Sequence, residues 1–443
     1  MRKVILVFVS LLMVLPFAFA GGQGETGDGQ MADVDYTDNP YTDGADLSGM
    51  TVNILGAFVD EDANRFNASM VPFEQATGID VVYEGSGDFE TLITVRAEGG
   101  SPPDVAAFPQ PGLAADLVQG GYVYDMGEWL GMDYLGEKYN QTWLDLADLG
   151  GIQAGVWYRA SVKSLVWYNM GVFQDEGYEI PETWAEMLAL SDQMVADGYT
   201  PWSIGIESSG ATGWVATDWI EDVMLRIHPP EVYDRWVTND LKFNSPEFKE
   251  ALAYMAQIWF NEDYVLGGRE GIVLTPFGDA ITPLIIDPPA AILHRQASFI
   301  PSFMPDGGDE IGEVVDFFYL PPIDESLGRP VLGAGDLLGA MQDRPEVRAM
   351  MRYLSSGLST KAWLEAGGFV SPHADTPLDW YPTETDRKIA EILQDATTFR
   401  FDASDLMPGA VGAGSFWTGM TDLVNDPDAD LNDVLDGIDN SWP

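Results

Sequence analysis

Between Thr51 and Phe108 short apolar runs alternate with helical stretches, and this alternation limits the fold more than any other feature. Thr51–Phe58 (TVNILGAF) has the length and apolar character of a buried strand. Asp60–Thr77 carries Phe66, Met70 and Phe73 at helical spacing and ends at Gly78. Pro72 inside it predicts a kink or a late helix start. Ile79–Tyr83 reads as a second strand. Asp88–Glu98 reads as a second helix, with Phe89, Leu92 and Ile93 inward, and Val105–Phe108 as a third strand. A β-α-β-α-β order implies an α/β fold with a parallel sheet and right-handed crossovers. Ligands of such sheets sit beyond the carboxyl ends of the strands. The loops there put Phe58, Asp60, Asp88 and Gln110 forward as binding side chains. Asp60 and Asp88 also stand where helix caps are common.

The start of the chain sets its compartment. Arg2 and Lys3 precede an apolar run, Val4–Leu15, then Pro16 and the small residues of Ala18-Phe19-Ala20. That three-part pattern is a secretory signal, expected to be cleaved after Ala20. Gly21 stands where a lipid-anchored protein would need Cys, so a free periplasmic or otherwise extracytoplasmic protein is expected. Residues 21–47 are poor in apolar side chains and read as a flexible leader.

Composition removes several function classes. The 443 residues include 71 acids against 21 Lys and Arg, a net charge of −50, which repels nucleic acid and anionic membranes. Adaptation to high salt would produce the same surface. No Cys is present, which excludes disulfides, Cys-ligated metals and thiol nucleophiles. The three His residues are scattered, and Asp426–Asp430 departs from a calcium loop at Leu431, so neither a metal nor a cofactor is expected.

The stretch PFEQATGIDVVYEGSGDFETLITVRAEGGSPPDVAAFPQPG resembles the opening of carbohydrate-binding extracellular solute-binding proteins of ABC importers. The resemblance continues through KSLVWYNMGVFQDEGYEIPETWAEML, GIESSGATGWVATDWIEDVMLR and DPPAAILHRQASFIPSF. It ends with LGAGDLLGAMQDRPEVRAMMRYLSS and FRFDASDLMPGAVGAGSFWTGM, which look most like the alpha-glucoside-binding branch. It implies a type II periplasmic-binding-protein fold, with two α/β lobes, a ligand cleft between them and a hinge of three crossings. Ser164–Asn169 fits the crossing out of lobe one, Asp316–Pro321 the return, and the third is expected near Gly357–Ser359. Lobe one would then comprise residues 48–163 and 316–357, and a helix-rich lobe two 164–315 and 358–443. The resemblance implies a monomeric receptor, not an enzyme. It would bind a small carbohydrate, an alpha-glucoside disaccharide above others, and dock on the permease subunits of an importer.

A sugar needs flat apolar platforms beside charged or amide hydrogen-bonding groups. Trp214, Asp218 and Trp219 occur together in GWVATDW, and Trp417 sits in a Gly-rich segment that would let backbone approach a ligand. Asp336, at the expected lobe junction, suits a pair of sugar hydroxyls. Arg159, Lys163 and His294 are weaker candidates. Plain structural readings stand beside these: a helix start at Trp214 with Trp219 in the core, Trp417 in the core, Asp336 capping the next segment, His294 as a satisfied structural residue, and the two cations paired with the abundant acids. Two other functions share these residue types. A polyamine or other cation would suit the acidity, and a secreted glycoside hydrolase would use paired carboxylates.

Overall fold

The computed structural model describes residues 35–305, 311–395 and 398–443. The expected signal segment, 1–20, lies outside the described residues, as does the leader up to residue 34. The described remainder of that leader is packed. The Tyr41 ring lies 5.4 Å from that of Tyr353 and 5.9 Å from that of Phe73, and Leu47 is buried.

The first three strands form where the sequence places them. They are β1 (Thr51–Gly56), β2 (Asp80–Gly85) and β3 (Val105–Phe108), separated by α1 (Asp60–Thr77) and α2 (Phe89–Glu98). β1 pairs in parallel with both neighbours, Ile54 opposite Tyr83 on one side and Val105 on the other. α1 starts at Asp60 and continues through Pro72, so the Pro neither delays nor ends it. Further along the chain come β4 (Val156–Val162), β5 (Leu165–Asn169) and α3 (Trp214–Ile227). They are followed by α4 (Pro246–Trp259), β6 (Leu293–Arg295), β7 (Val315–Tyr319) and β8 (Pro330–Ala340). Last are β9 (Thr398–Phe401), α5 (Ala403–Leu406) and α6 (Trp417–Asn425).

Two sheets result. The larger runs β9-β8-β3-β1-β2, with β4 also on β8, and the smaller runs β6-β5-β7. The large sheet is mixed: β8 runs antiparallel to β3 and β4, and parallel to β9. Two apolar cores form, one holding Phe66, Phe108 and Trp363, the other Trp219, Phe248 and Trp259. The small sheet borders both, with Trp167, Val315 and Tyr319 in the first and Val166, Leu293 and Phe318 in the second. The start of α4 shows how local chemistry sets an element in the second core. The Ser245 hydroxyl accepts the Phe248 N–H at 3.3 Å, Pro246 opens the helix, and Phe248, Leu252, Met255 and Trp259 turn inward.

The chain passes between the sheets three times. It leaves the large sheet at Lys163–Ser164, between β4 and β5, and returns between Tyr319 and Pro330. It leaves again at Asp402, between β9 and α5. The sequence placed the third crossing near Gly357–Ser359. Trp363, Phe369 and Phe401 instead pack in the first core, because β9 pairs with β8 and keeps the chain there. Likewise Asp316–Pro321 is not itself a crossing: β7 pairs antiparallel with β5 inside the small sheet.

One helix meets all three crossings. Residues 215–226 of α3 are buried, and Asp218, Glu221, Asp222 and Arg226 share a polar face. Lys163 pairs with Asp218, and the Ser164 hydroxyl donates to Asp222 at 2.9 Å. Glu221 accepts the N–H groups of Ala403 and Ser404, each at 3.0 Å, just past the third crossing. Arg226 donates to the carbonyls of Leu320 and Pro330 at the ends of the second. Helix α3 is the common anchor of the hinge.

Candidate functional site

Strand β4 supplies the floor of a cleft between the two sheets. Alternate residues of a strand face one side, and here Arg159, Ser161 and Lys163 all line the cleft. The walls are aromatic: Phe58 from lobe one, and Trp214, Phe277, Phe299, Phe303 and Trp417 opposite. Polar groups fill the gaps, and the cleft encloses about 940 Å³, open solvent included.

Each floor cation stands between two carboxylates and against aromatic faces. Arg159 donates to Asp62 at 2.8 Å and to Asp336 at 2.7 Å, with its guanidinium 4.6 Å from the Phe58 ring and 5.4 Å from that of Phe299. Lys163 donates to Asp218 at 2.7 Å and, more closely, to Asp402, 5.5 Å from the Trp214 ring. Burial works against both charges, but the flanking carboxylates outweigh it and hold both cations protonated. Burial raises Asp336 above the usual carboxylate range despite Arg159. Burial would also raise Asp402, yet Lys163 and its hydrogen-bonding neighbours bring it below that range. Asp218, Glu221 and Asp405 are pushed well above it, first by burial and then by the charge of Asp402. Asp218, Glu221 and Asp402 stand close enough together to hold a metal ion, but the Lys163 ammonium is already bonded to two of them.

The expected binding residues divide. Phe58, Gln110, Trp214, Asp336, Trp417, Arg159 and Lys163 line the cleft. Gln110 donates to Glu90 at 3.1 Å, while its carbonyl oxygen has no protein partner among the described residues. Trp219 does not reach the cleft: its ring is buried edge-on to Trp202 and Trp259, at 5.6 and 5.8 Å. Asp218 lies beneath the floor and acts on Lys163. His294 is structural: its Nδ1 donates to the Ser203 carbonyl at 2.8 Å, and burial lowers its pKa to about 4. Asp60 is exposed at the head of α1 and outside the cleft lining. Asp88 is a rim residue, accepting the Gly210 N–H from the opposite lobe at 3.1 Å.

The glycines beside Trp417 serve packing. A Cβ on Gly412 would lie 1.8 Å from the Ser404 carbonyl oxygen, so this Gly lets α5 and the segment before α6 touch backbone to backbone. Gly213, at φ 114°, does the same for α3, where a Cβ would stand 2.3 Å from the Trp417 carbonyl oxygen. Trp214 and Trp417 are thereby fixed relative to one another.

Sequence reasoning missed Asp62, Glu90, Asp402, Asp405 and the three Phe rings. Asp62 was findable, since it shares the inward helical face of Phe66, Ser69, Met70 and Phe73 in α1, whereas Asp60 does not. Asp402 and Asp405 bracket a crossing that the chain's local pattern did not reveal.

Residues 52–356 match the model of the bacterial extracellular solute-binding proteins. The chain belongs to that family. This receptor is 48% identical over 392 residues to an osmoprotective compounds-binding protein, GgtB, of Synechocystis sp., covering 88% of this chain and 92% of the relative. It is 42% identical over 410 residues to an alpha-glucosides-binding periplasmic protein, AglE, of Rhizobium meliloti, covering 90% and 88%. Among solved structures it resembles the solute receptor AcbH (TM-score 0.76, 17% identity, 88% of this chain and 97% of that one). It also resembles a chitin oligosaccharide binding protein (0.75, 15%, 88% and 97%). The fold is that of the type II periplasmic sugar-binding proteins. Hydrolysis falls away as a function, because the family consists of binding receptors. Among the described residues no helix is long and apolar enough to cross a membrane.

Proposed function

We propose that the receptor closes on an alpha-glucoside, of disaccharide size or smaller, and delivers it to the membrane subunits of an ABC importer. One observation carries this reading: a single cleft combines aromatic faces, half-buried at Trp214, Phe277, Phe299 and Phe303 and buried at Phe58 and Trp417, with carboxylate and amide acceptors. A pyranose ring offers C–H faces to the first and hydroxyls to the second. Trp214 and Trp417 serve as platforms, Gln110 and Asp62 as hydroxyl acceptors, and Arg159 as a donor. The names of the two relatives support a glucoside or a small osmoprotective compound. The carboxylate excess of the cleft supports a second reading, a polyamine.

A thermal-shift screen of maltose, trehalose, sucrose, methyl alpha-glucoside and spermidine, followed by calorimetric titration, tests the proposal. A ligand at 100 times its Kd stabilises by ~2.7 kcal/mol. At least one glucoside should bind saturably without turnover, and Trp417→Ala should weaken it at least ~10-fold. Binding of spermidine with none of the glucosides overturns the reading.

A further inference from the structure

The cleft is lined by five carboxyl groups, Asp62, Glu90, Asp336, Asp402 and Asp405, against two cations, Arg159 and Lys163. Both cations are already matched. Asp62 and Asp336 flank Arg159, and Asp218 and Asp402 flank Lys163, so each cation is already bonded on two sides. Neither leaves uncompensated positive charge for a ligand anion.

Asp405 stands apart from those pairs. It lies on α5, just past the third crossing, and is 6% exposed. Its backbone N–H donates to Asp402 at 3.3 Å, but its carboxyl accepts no hydrogen bond from any described residue. It opens on the cleft that Trp214 and Trp417 also line. A carboxyl that no protein donor satisfies and that faces a cleft is free to accept from a ligand donor placed there.

We propose that Asp405 is a specificity-determining residue. It accepts from a ligand hydroxyl or ammonium, so that the cleft takes neutral and amino-bearing glycosides and bars the corresponding phosphates and uronates. The proposal rests on the glycoside reading of the cleft and adds its charge selectivity. The same surroundings bear on any charged group placed there. Burial and the charge of Asp402 push the Asp405 carboxyl towards its protonated form, and an arriving phosphate meets the same potential. An ammonium has the opposite effect and favours the ionised carboxylate. A phosphate or uronate brings a charge that no unmatched cation of the cleft answers, and the cost of taking it out of water suffices for a discrimination of at least ~100-fold.

The test compares matched ligands by calorimetric titration of the full mature protein: trehalose, trehalose 6-phosphate and 6-amino-6-deoxytrehalose. Maltose and sucrose are paired with a maltose uronic acid and sucrose 6-phosphate. Where the neutral sugar binds, the anionic partner should bind at least ~100-fold more weakly, and the amine at least as tightly as its parent. In D405N the ratio of amine to phosphate affinity should narrow at least ~10-fold. An anion within ~10-fold of its neutral partner overturns the inference and leaves the glycoside reading standing. So does an amine more than ~10-fold weaker than its parent, or a ratio unchanged in a folded D405N. If D405N does not fold, the ligand series on the unaltered protein decides alone. Failure of every glycoside, neutral and charged, overturns the glycoside reading and the selectivity with it.

Discussion

Arg159 and His294 show two outcomes for a polar side chain drawn out of water. Arg159 is kept charged by Asp62 and Asp336, so the Asp336 carboxyl is committed first to the guanidinium it orients. Removing one partner of such a buried pair costs about 3–5 kcal/mol, so Asp336 belongs to the stability of the cleft as much as to its affinity. His294 takes the other course and stays neutral. Its pKa falls from 6.5 to about 4, through burial first and then the neighbouring Arg295 charge, outweighing the bond to Ser203. Between those values the unfolded chain binds a proton that the folded chain refuses. This group's contribution is therefore complete above pH ~6.5 and lost as pH falls towards 4. His294→Gln removes the titration. Other groups titrate alike in both proteins, His373 and the raised carboxyls among them, and cancel in the comparison. The stability difference between wild type and H294Q should shrink by about 2 kcal/mol from pH 8 to pH 5. Urea unfolding at the two pH values measures it, and a difference independent of pH would show that His294 is not held neutral.

At the scale of elements, α3 holds the hinge together, and Glu221 is its most exposed commitment to that role. The carboxyl is the acceptor for two buried N–H groups, Ala403 and Ser404, that begin α5. Glu221→Ala leaves both without a partner, at about 1–3 kcal/mol each. Chemical unfolding should show a loss of about 2–5 kcal/mol, and a loss under 1 kcal/mol would mean that α5 is anchored from elsewhere. The same helix explains what the sequence could and could not reveal. β1, α1, β2, α2 and β3 were legible because each is written in contiguous residues with its own period and stop. Along α3 every residue from Val215 to Arg226 is buried, and the face of Asp218, Glu221, Asp222 and Arg226 is turned to the crossings instead of to water, so a polar residue next to Trp219 does not mark a ligand-facing side. A Trp beside a carboxylate in GWVATDW looked like a binding pair, yet the ring joined the core. The third crossing was illegible for another reason. It depends on Pro330 pairing with Thr398, residues far apart in sequence, and no local pattern encodes that match. Asp402 and Asp405 were lost with it.

At the scale of the whole molecule, the forces holding the cleft closed are few. Across its rim Asp88 meets Gly210 through one exposed hydrogen bond, which contributes about 1 kcal/mol or less. The three crossings converge on α3, which makes that helix the place where a hinge would bend. A ligand touching Arg159 on one side and Trp417 on the other favours the closed state by whatever affinity the open state lacks. The net charge of −50 opposes closure, because it presses acidic surfaces on the two lobes together. That repulsion reaches about 30 Å at 0.01 M salt and about 3 Å at 1 M. Small-angle scattering should therefore show a larger radius of gyration without ligand than with it. The unliganded radius should contract as salt rises from 0.01 to 1 M, while the liganded radius stays fixed. Asp88→Ala should leave affinity within a few-fold, since its bond is too weak to hold the lobes. An unliganded radius equal to the liganded one at every salt concentration would mean that the lobes are locked and that binding proceeds without hinge motion.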